Sequence, residues 1–173
     1  PAPPVVPPEP RVVRLDAEGY SRTVGLLFDG RPADGAAEPA TGLSAPFDWV
    51  NPADRFSTRN ASYSVDPNEF GRVQSNAQAI AQRYADAAPS CEDAACERSR
   101  IEEAARRLWS RPPSGEEVDA LLALEDFEQQ VLALAMSPHL LFRSERGTGE
   151  AIADGVRALN AYELASALAF TLT

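Results

Sequence analysis

The feature of this sequence that most constrains its fold is a series of helix-start signals, each followed by apolar residues at helical spacing. Asp66 precedes Pro67, which suits the first position of a helix, and Glu69 can reach back to the cap. Ser114 and Glu117 have the spacing of a capping box. Similar signals open further stretches at Asp16 and Asn160, and another helix is expected to begin near Asp126.

Read with their apolar spacing, these signals predict six helices and a mainly α fold, an irregular multi-helix assembly. The expected spans are about 16–30, 66–84, 96–110, 114–122, 126–137 and 160–173. The second helix has a predicted inward face of Phe70, Val73, Ala77, Ile80, Ala81 and Tyr84. The third is expected to turn Ile101, Leu108 and Trp109 inward.

Prolines mark the segments where no helix is expected. Residues 1–12 are Pro-rich and predict an extended N-terminal arm of the polyproline II type. We interpret this arm as a linker left after removal of a targeting segment or cut from an upstream domain; a Pro-rich ligand for a recognition module is the alternative. Residues 31–65 predict a long loop that packs back on the helices through its aromatic side chains, Phe47, Trp49, Phe56 and Tyr63.

Charge argues against a nucleic-acid partner. The 173-residue chain carries a formal net charge of −10, and all 16 of its basic residues are Arg. The one local excess of Arg, over residues 98–111, is interleaved with Glu at helical spacing, which is typical of a solvated face with ion pairs. No stretch approaches the roughly 20 apolar residues of a membrane-spanning helix.

Cys91 and Cys96 are the only cysteines, and four residues separate them. Haem attachment through Cys-x-x-Cys-His is excluded by the spacing and by Glu97, which follows where His is required. A zinc site needs more ligands than two cysteines and one distant His. In an exported chain such a pair predicts a disulfide, and a redox role is the alternative.

His139 is the only histidine. A lone His without an acidic partner nearby in sequence is usually a packed or surface side chain; the functional alternative is an axial ligand to a haem held by another domain. No phosphate-binding loop, nucleophile elbow or paired-metal motif occurs. The sequence therefore predicts no catalytic residue and no metal site in this chain, and leaves open whether the protein is an enzyme.

The last predicted helix, residues 160–173, is apolar or small at almost every position after Glu163. A helix that is apolar on all sides must be surrounded by protein. We therefore expect a partner to cover residues 160–173, either the remainder of the same polypeptide or a cleaved companion chain.

Three groups of residues, in order, resemble a known multidomain family. Residues 14–24, followed by residues 64–67, are similar to the opening of the first planctomycete-type cytochrome c-associated domain of unknown function, R-L-T-x-x-E-Y-N-N-T-V. The cysteine pair, residues 105–112, residues 116–118 and residues 137–145 resemble the second domain. Residues 162–170 resemble the start of a third, Y-E-L-A-S-R-L-S-Y-F-L-W. The chain departs from these patterns at Ser21, Arg22, Ala167 and Thr171.

The resemblance covers most of residues 13–173 and implies an exported, extracytoplasmic protein, in the periplasm or at the cell surface. It implies a first helical domain over 13–88, a second over 89–150, and the first helix of a third over 157–173. Haem c is implied only for associated domains, and an oxidoreductase association only through them. The expected function is a helical scaffold in a cytochrome c-linked redox protein. The alternative is a cell-surface module that binds a glycan or a protein through Phe47, Trp49, Phe56 and Tyr63.

Overall fold

The computed structural model describes residues 11–15, 19–20, 23–24, 67–153 and 156–171. They are mainly helical, so the predicted fold class is confirmed. The helices are α1 (Pro67–Ala87), α2 (Ala94–Trp109), α3 (Gly115–Leu122), α4 (Phe127–Met136), α5 (Pro138–Leu141) and α6 (Ala161–Thr171). The strands are β1 (Arg11–Arg14), β2 (Phe142–Glu145), β3 (Ala151–Ala153) and β4 (Val156–Arg157).

Side-chain caps define where the central helices begin. In α3, the N–H of Glu117 donates to Ser114 Oγ, and the N–H of Ser114 donates to Glu117 Oε2, which completes the predicted capping box. Asp126 caps α4 by accepting from the N–H of Gln129 at 2.8 Å. The structure confirms these two helix starts. Each could be predicted because it depends on residues within one helical turn.

The limits of α2 differ from the expected ones. Asp93 caps the helix by accepting from the N–H of Cys96 at 2.8 Å, so α2 begins two residues earlier than predicted. The helix ends before the prolines are reached, because Ser110 adopts the left-handed conformation with φ of 54°. This residue turns the chain out of α2 and towards α3.

The buried side chains form one hydrophobic core that runs from Leu15 to Leu141 in sequence. Helix α1 packs along α4, and α2 packs across both α4 and α3. Tyr20 and Val24, which lie within the span of the first predicted helix, are fully buried. Phe70 is an error of the sequence analysis: its side chain is 50% exposed, and Glu69 is buried in its place. The boundary between two domains at residue 88, which the family resemblance implies, stays a prediction. The described residues on both sides of it contribute to this one core.

Two short antiparallel pairs, which the sequence analysis did not predict, complete the fold. Strand β1 pairs with β2 in the register Arg11↔Glu145 to Arg14↔Phe142, and the N–H of Leu15 donates to the carbonyl of Leu141. The arm therefore ends earlier than residue 12, since its last two residues belong to β1. Strands β3 and β4 form a small hairpin between β2 and α6.

The predicted Cys91–Cys96 disulfide is present, with sulfur atoms 2.10 Å apart, and it joins the segment before α2 to the first turn of that helix. Within the described ranges, no helix has both the length and the apolar character that crossing a bilayer requires. Residues 1–10 of the arm and the predicted aromatic loop, with Phe47, Trp49, Phe56 and Tyr63, lie outside the described residues.

Candidate functional site

A polar cleft of about 450 Å³ opens where the end of α2, the α5–β2 segment and the start of α6 meet. We call it the polar cleft, and its main polar and aromatic lining residues are Trp109, Arg111, Glu117, His139, Arg146 and Tyr162. Its volume lies in the range of pockets that bind small molecules. Because the residues that line the cleft come from separate helices and strands, no single stretch of the sequence predicts it.

Arg111 and Glu117 form the charged wall of the polar cleft. Arg111 Nη1 donates to Glu117 Oε2 at 2.9 Å and Nη2 donates to Oε1 at 2.7 Å, a bidentate geometry. The left-handed turn at Ser110 and the capping box of α3 bring the two side chains together. The hydrogen bonds from Arg111 outweigh the opposing effect of burial and, with that from the Ser114 N–H, lower the pKa of Glu117 to about 2.

His139 lies beside this ion pair and is half exposed. Its Nε2 is 3.8 Å from Glu117 Oε1, which is beyond hydrogen-bonding distance. Burial is the main cause that lowers the pKa of His139 below its ordinary value of 6.5; the Arg111 charge acts in the same direction and the Glu117 charge opposes it. The imidazole is therefore mainly neutral at pH 7, with one nitrogen donating and the other accepting.

Trp109 supplies the aromatic wall. Its ring centroid is 5.1 Å from that of His139, and the Arg111 guanidinium carbon lies 4.9 Å from the Trp109 ring centroid. The indole Nε1 donates to the carbonyl oxygen of Leu134 on α4 at 3.1 Å. This hydrogen bond fixes the indole to α4, so the wall is built on the rigid helical core.

The carboxylate of Glu163 closes the opposite side of the polar cleft. It accepts from the backbone N–H groups of Arg146, Thr148 and Asn160, and from the Thr148 hydroxyl. Burial raises the pKa of Glu163, but these hydrogen bonds together lower it more, so the net pKa lies below its ordinary 4.5. The turn after β2 is thereby fastened to the first turn of α6.

That turn depends on a glycine. Gly147 has φ of +71°, and a Cβ at this position would lie 2.7 Å from the carbonyl oxygen of Arg157. The start of α6 is also capped locally, since Asn160 Oδ1 accepts from the N–H groups of Tyr162 and Glu163. Together these features hold Arg146 and Tyr162 at the rim of the polar cleft.

The predicted site residues are not brought together. His139 lies in the polar cleft, whereas the Cys91–Cys96 disulfide lines a different groove of about 500 Å³ with Tyr84 and Arg100. Arg100 there packs over Phe127, 3.8 Å from the ring centroid to the guanidinium carbon. Nothing in the described residues bears on the aromatic loop.

Sequence reasoning overlooked most of the polar cleft. It assigned Arg111 to a solvated face, which is correct for Arg98, Arg106 and Arg107, whose ion pairs are exposed. It treated Trp109 only as a core residue. The one local signal for the far wall is the capping-box spacing of Asn160 and Glu163, but that spacing does not reveal the hydrogen bonds to the 146–148 turn.

Axial ligation of a haem by His139 stays a prediction, since nothing among the described residues tests it. Among the described residues, no group of three or more His, Cys, Asp or Glu side chains is arranged to hold a metal ion.

Comparisons of the chain with protein-family models, with curated proteins and with solved structures gave no match.

Proposed function

We propose that this chain is the helical scaffold portion of an exported, cytochrome c-linked redox protein, and that it positions domains lying outside it. The observation that carries the proposal is the outward surface of α6. Leu164 is 49% exposed and Leu168 is 50% exposed, although both are large apolar side chains. Fully burying a large apolar side chain contributes roughly 1.5 to 3 kcal/mol of free energy, so a partner that covers these two would stabilise the helix.

The contacts that hold α6 on the rest of the fold support a docking role. Glu163 and Ser166 line the polar cleft, and α6 packs on β2. Leu164 and Leu168 are four residues apart and therefore lie on one side of the helix. That side is not the one that carries Glu163 and Ser166. The Glu163 hydrogen bonds fix the orientation of α6 on the scaffold. A rigidly oriented apolar stripe is suited to hold a neighbouring domain in a defined position.

The disulfide supports the proposed extracytoplasmic location. Disulfides persist in oxidising compartments and are rare in the reducing cytosol. Cys91, just before α2, and Cys96, in the first turn of that helix, are at bonding distance. The cytochrome link itself rests on the motif resemblance, which implies c-type haem domains in the same protein or in a companion.

The first test uses the full-length gene product. Cys-x-x-Cys-His motifs and a c-type haem absorption spectrum are expected in it or in a protein that copurifies with it. Their absence from both would replace the cytochrome-linked scaffold with the alternative, a cell-surface module that binds a glycan or protein through the 47–63 loop.

The second test concerns the apolar stripe of Leu164 and Leu168, which we call the docking stripe, in the same protein. Leu164→Ser together with Leu168→Ser should release the covering domain, which would then be separated by limited proteolysis and gel filtration. Phe70→Ser is the matched control, because Phe70 is equally exposed but lies on α1. Equal retention of the covering domain in the stripe variant and in the control would refute docking on α6.

A further inference from the structure

We propose that the polar cleft binds a small organic anion, a carboxylate attached to a flat apolar body. This site is distinct from the docking stripe on α6 and does not depend on the scaffold role. The cleft volume of about 450 Å³ suits a ligand with a single ring and its substituents.

Charge at the cleft disfavours an anion less than the rest of the surface does. Arg111, Arg143 and Arg146 line the cleft, and Glu117, Glu163 and Glu145, the ion-pair partner of Arg143, balance them in number. The rest of the chain carries the formal net charge of −10, so an anion is repelled less at the cleft than elsewhere.

The two carboxylates that line the cleft are already neutralised or occupied. Glu117 is engaged by both terminal nitrogens of Arg111, and Glu163 accepts four hydrogen bonds from the protein. Arg143 is likewise paired with Glu145 at 2.6 Å. Among the described residues, no ion pair engages the guanidinium of Arg146, which is exposed at the rim. Arg146 is thus the cation placed to meet a ligand carboxylate.

The apolar part of the lining selects a flat body. Trp109 and His139 form an aromatic wall, with ring centroids 5.1 Å apart and ring planes tilted by 54°, and the partly exposed Phe142 extends the apolar surface. The neutral ring of His139 adds one donor and one acceptor beside this wall. An aromatic carboxylate satisfies both sides of the cleft at once, with its ring on Trp109 and His139 and its charge towards Arg146.

The test is a titration of the whole chain at pH 7.5, followed by NMR at the imidazole Cε1–H of His139. Because His139 is the only histidine, that signal reports on the cleft alone. Benzoate is the probe, benzamide is its neutral isostere, and inorganic phosphate is an anion without a flat body. Benzoate should give a saturable shift, with benzamide and phosphate each at least about tenfold weaker.

Two variants test which Arg side chain binds the carboxylate of the ligand. Arg146→Gln should weaken benzoate at least about fivefold and leave benzamide unchanged, because it removes the charge but keeps the backbone N–H that Glu163 accepts. Arg106→Gln is the matched control, an exposed α2 guanidinium paired with Glu102 and outside the cleft. Absence of saturation by benzoate, equal affinity for benzamide or phosphate, or equal effects of the two Arg variants would each overturn the proposal.

Discussion

Glu163 Oε2 accepts two hydrogen bonds from Thr148, one from its backbone N–H and one from its hydroxyl, each 3.1 Å long. These bonds join residues 15 positions apart and fasten α6 to the turn that follows β2. Since α6 carries the Leu164–Leu168 stripe on one side and Tyr162 at the polar cleft, one carboxylate orients both surfaces.

Replacing this carboxylate should destabilise the fold in a pH-dependent way. Glu163→Gln is expected to lower the free energy of unfolding by about 1 to 2 kcal/mol at pH 7, because a neutral amide accepts weaker hydrogen bonds than a carboxylate. The folded-state pKa of Glu163 lies below 4.5, so its contribution is complete above pH 4.5 and is lost as the pH falls through the folded-state pKa.

Urea unfolding at pH 7 and at successively lower pH values measures this difference. Wild type and Glu163→Gln should converge in acid. Glu150→Gln is the control, since Glu150 is an exposed carboxylate on the same connection and should have little effect. A constant gap at every pH would show that the carboxylate charge does not carry the effect.

The pKa of His139 should move in opposite directions when its two charged neighbours are neutralised. Arg111 lowers the pKa of His139 and Glu117 raises it, both against the larger lowering by burial. Arg111→Gln should therefore raise the pKa, and Glu117→Gln should lower it further. The NMR titration of the single imidazole measures both shifts, and shifts of the same sign would contradict the assigned geometry.

The same imidazole should contribute to the pH dependence of stability. Because its folded-state pKa is below 6.5, the unfolded chain takes up a proton first as the pH falls, which costs stability from about pH 7 downward. His139→Gln should lose less stability between pH 7.5 and pH 5.5 than wild type does. The pH series of urea midpoints tests this, and identical slopes for the two proteins would argue against a lowered pKa.

The indole hydrogen bond of Trp109 should make a modest contribution to stability. Trp109→Phe is expected to lower the free energy of unfolding by about 1 kcal/mol, because it removes the donor to Leu134. The loss stays modest since the carbonyl of Leu134 also accepts from the N–H of Ser137 at 3.2 Å. Trp109→Ala serves for comparison and should cost more, because it also removes the ring; equal losses would assign the whole effect to the hydrogen bond.

The sequence predicted what depends on neighbours within one helical turn. The capping box of Ser114 and Glu117 was correct because donor and acceptor lie three residues apart, and the helix start near Asp126 was correct as well. The error at Phe70 has a different origin: periodicity places it near the inward stripe of α1, whereas in the structure the neighbouring Glu69 is buried and Phe70 is 50% exposed.

Contacts between distant segments could not be predicted in this way. Strand β1 pairs with β2 across about 130 residues, and each strand has only four residues, too few for a clear alternation. The polar cleft is likewise assembled from Trp109, His139 and Glu163, which are far apart in the chain. The helical fold class was therefore accessible from sequence, whereas the candidate site was not.

The Cys91–Cys96 disulfide should stabilise the start of α2 in particular. Its closed loop contains Asp93, whose carboxylate caps the helix through the N–H of Cys96, so the cross-link and the cap act on the same turn. Replacing both cysteines by Ala should cost about 2 kcal/mol by loop entropy, and Asp93→Ala alone about 1 kcal/mol. The triple variant should lose less than the sum, because a frayed first turn gains little from its cap. Urea unfolding measures all three losses, and strict additivity would show that the disulfide and the cap stabilise the chain independently.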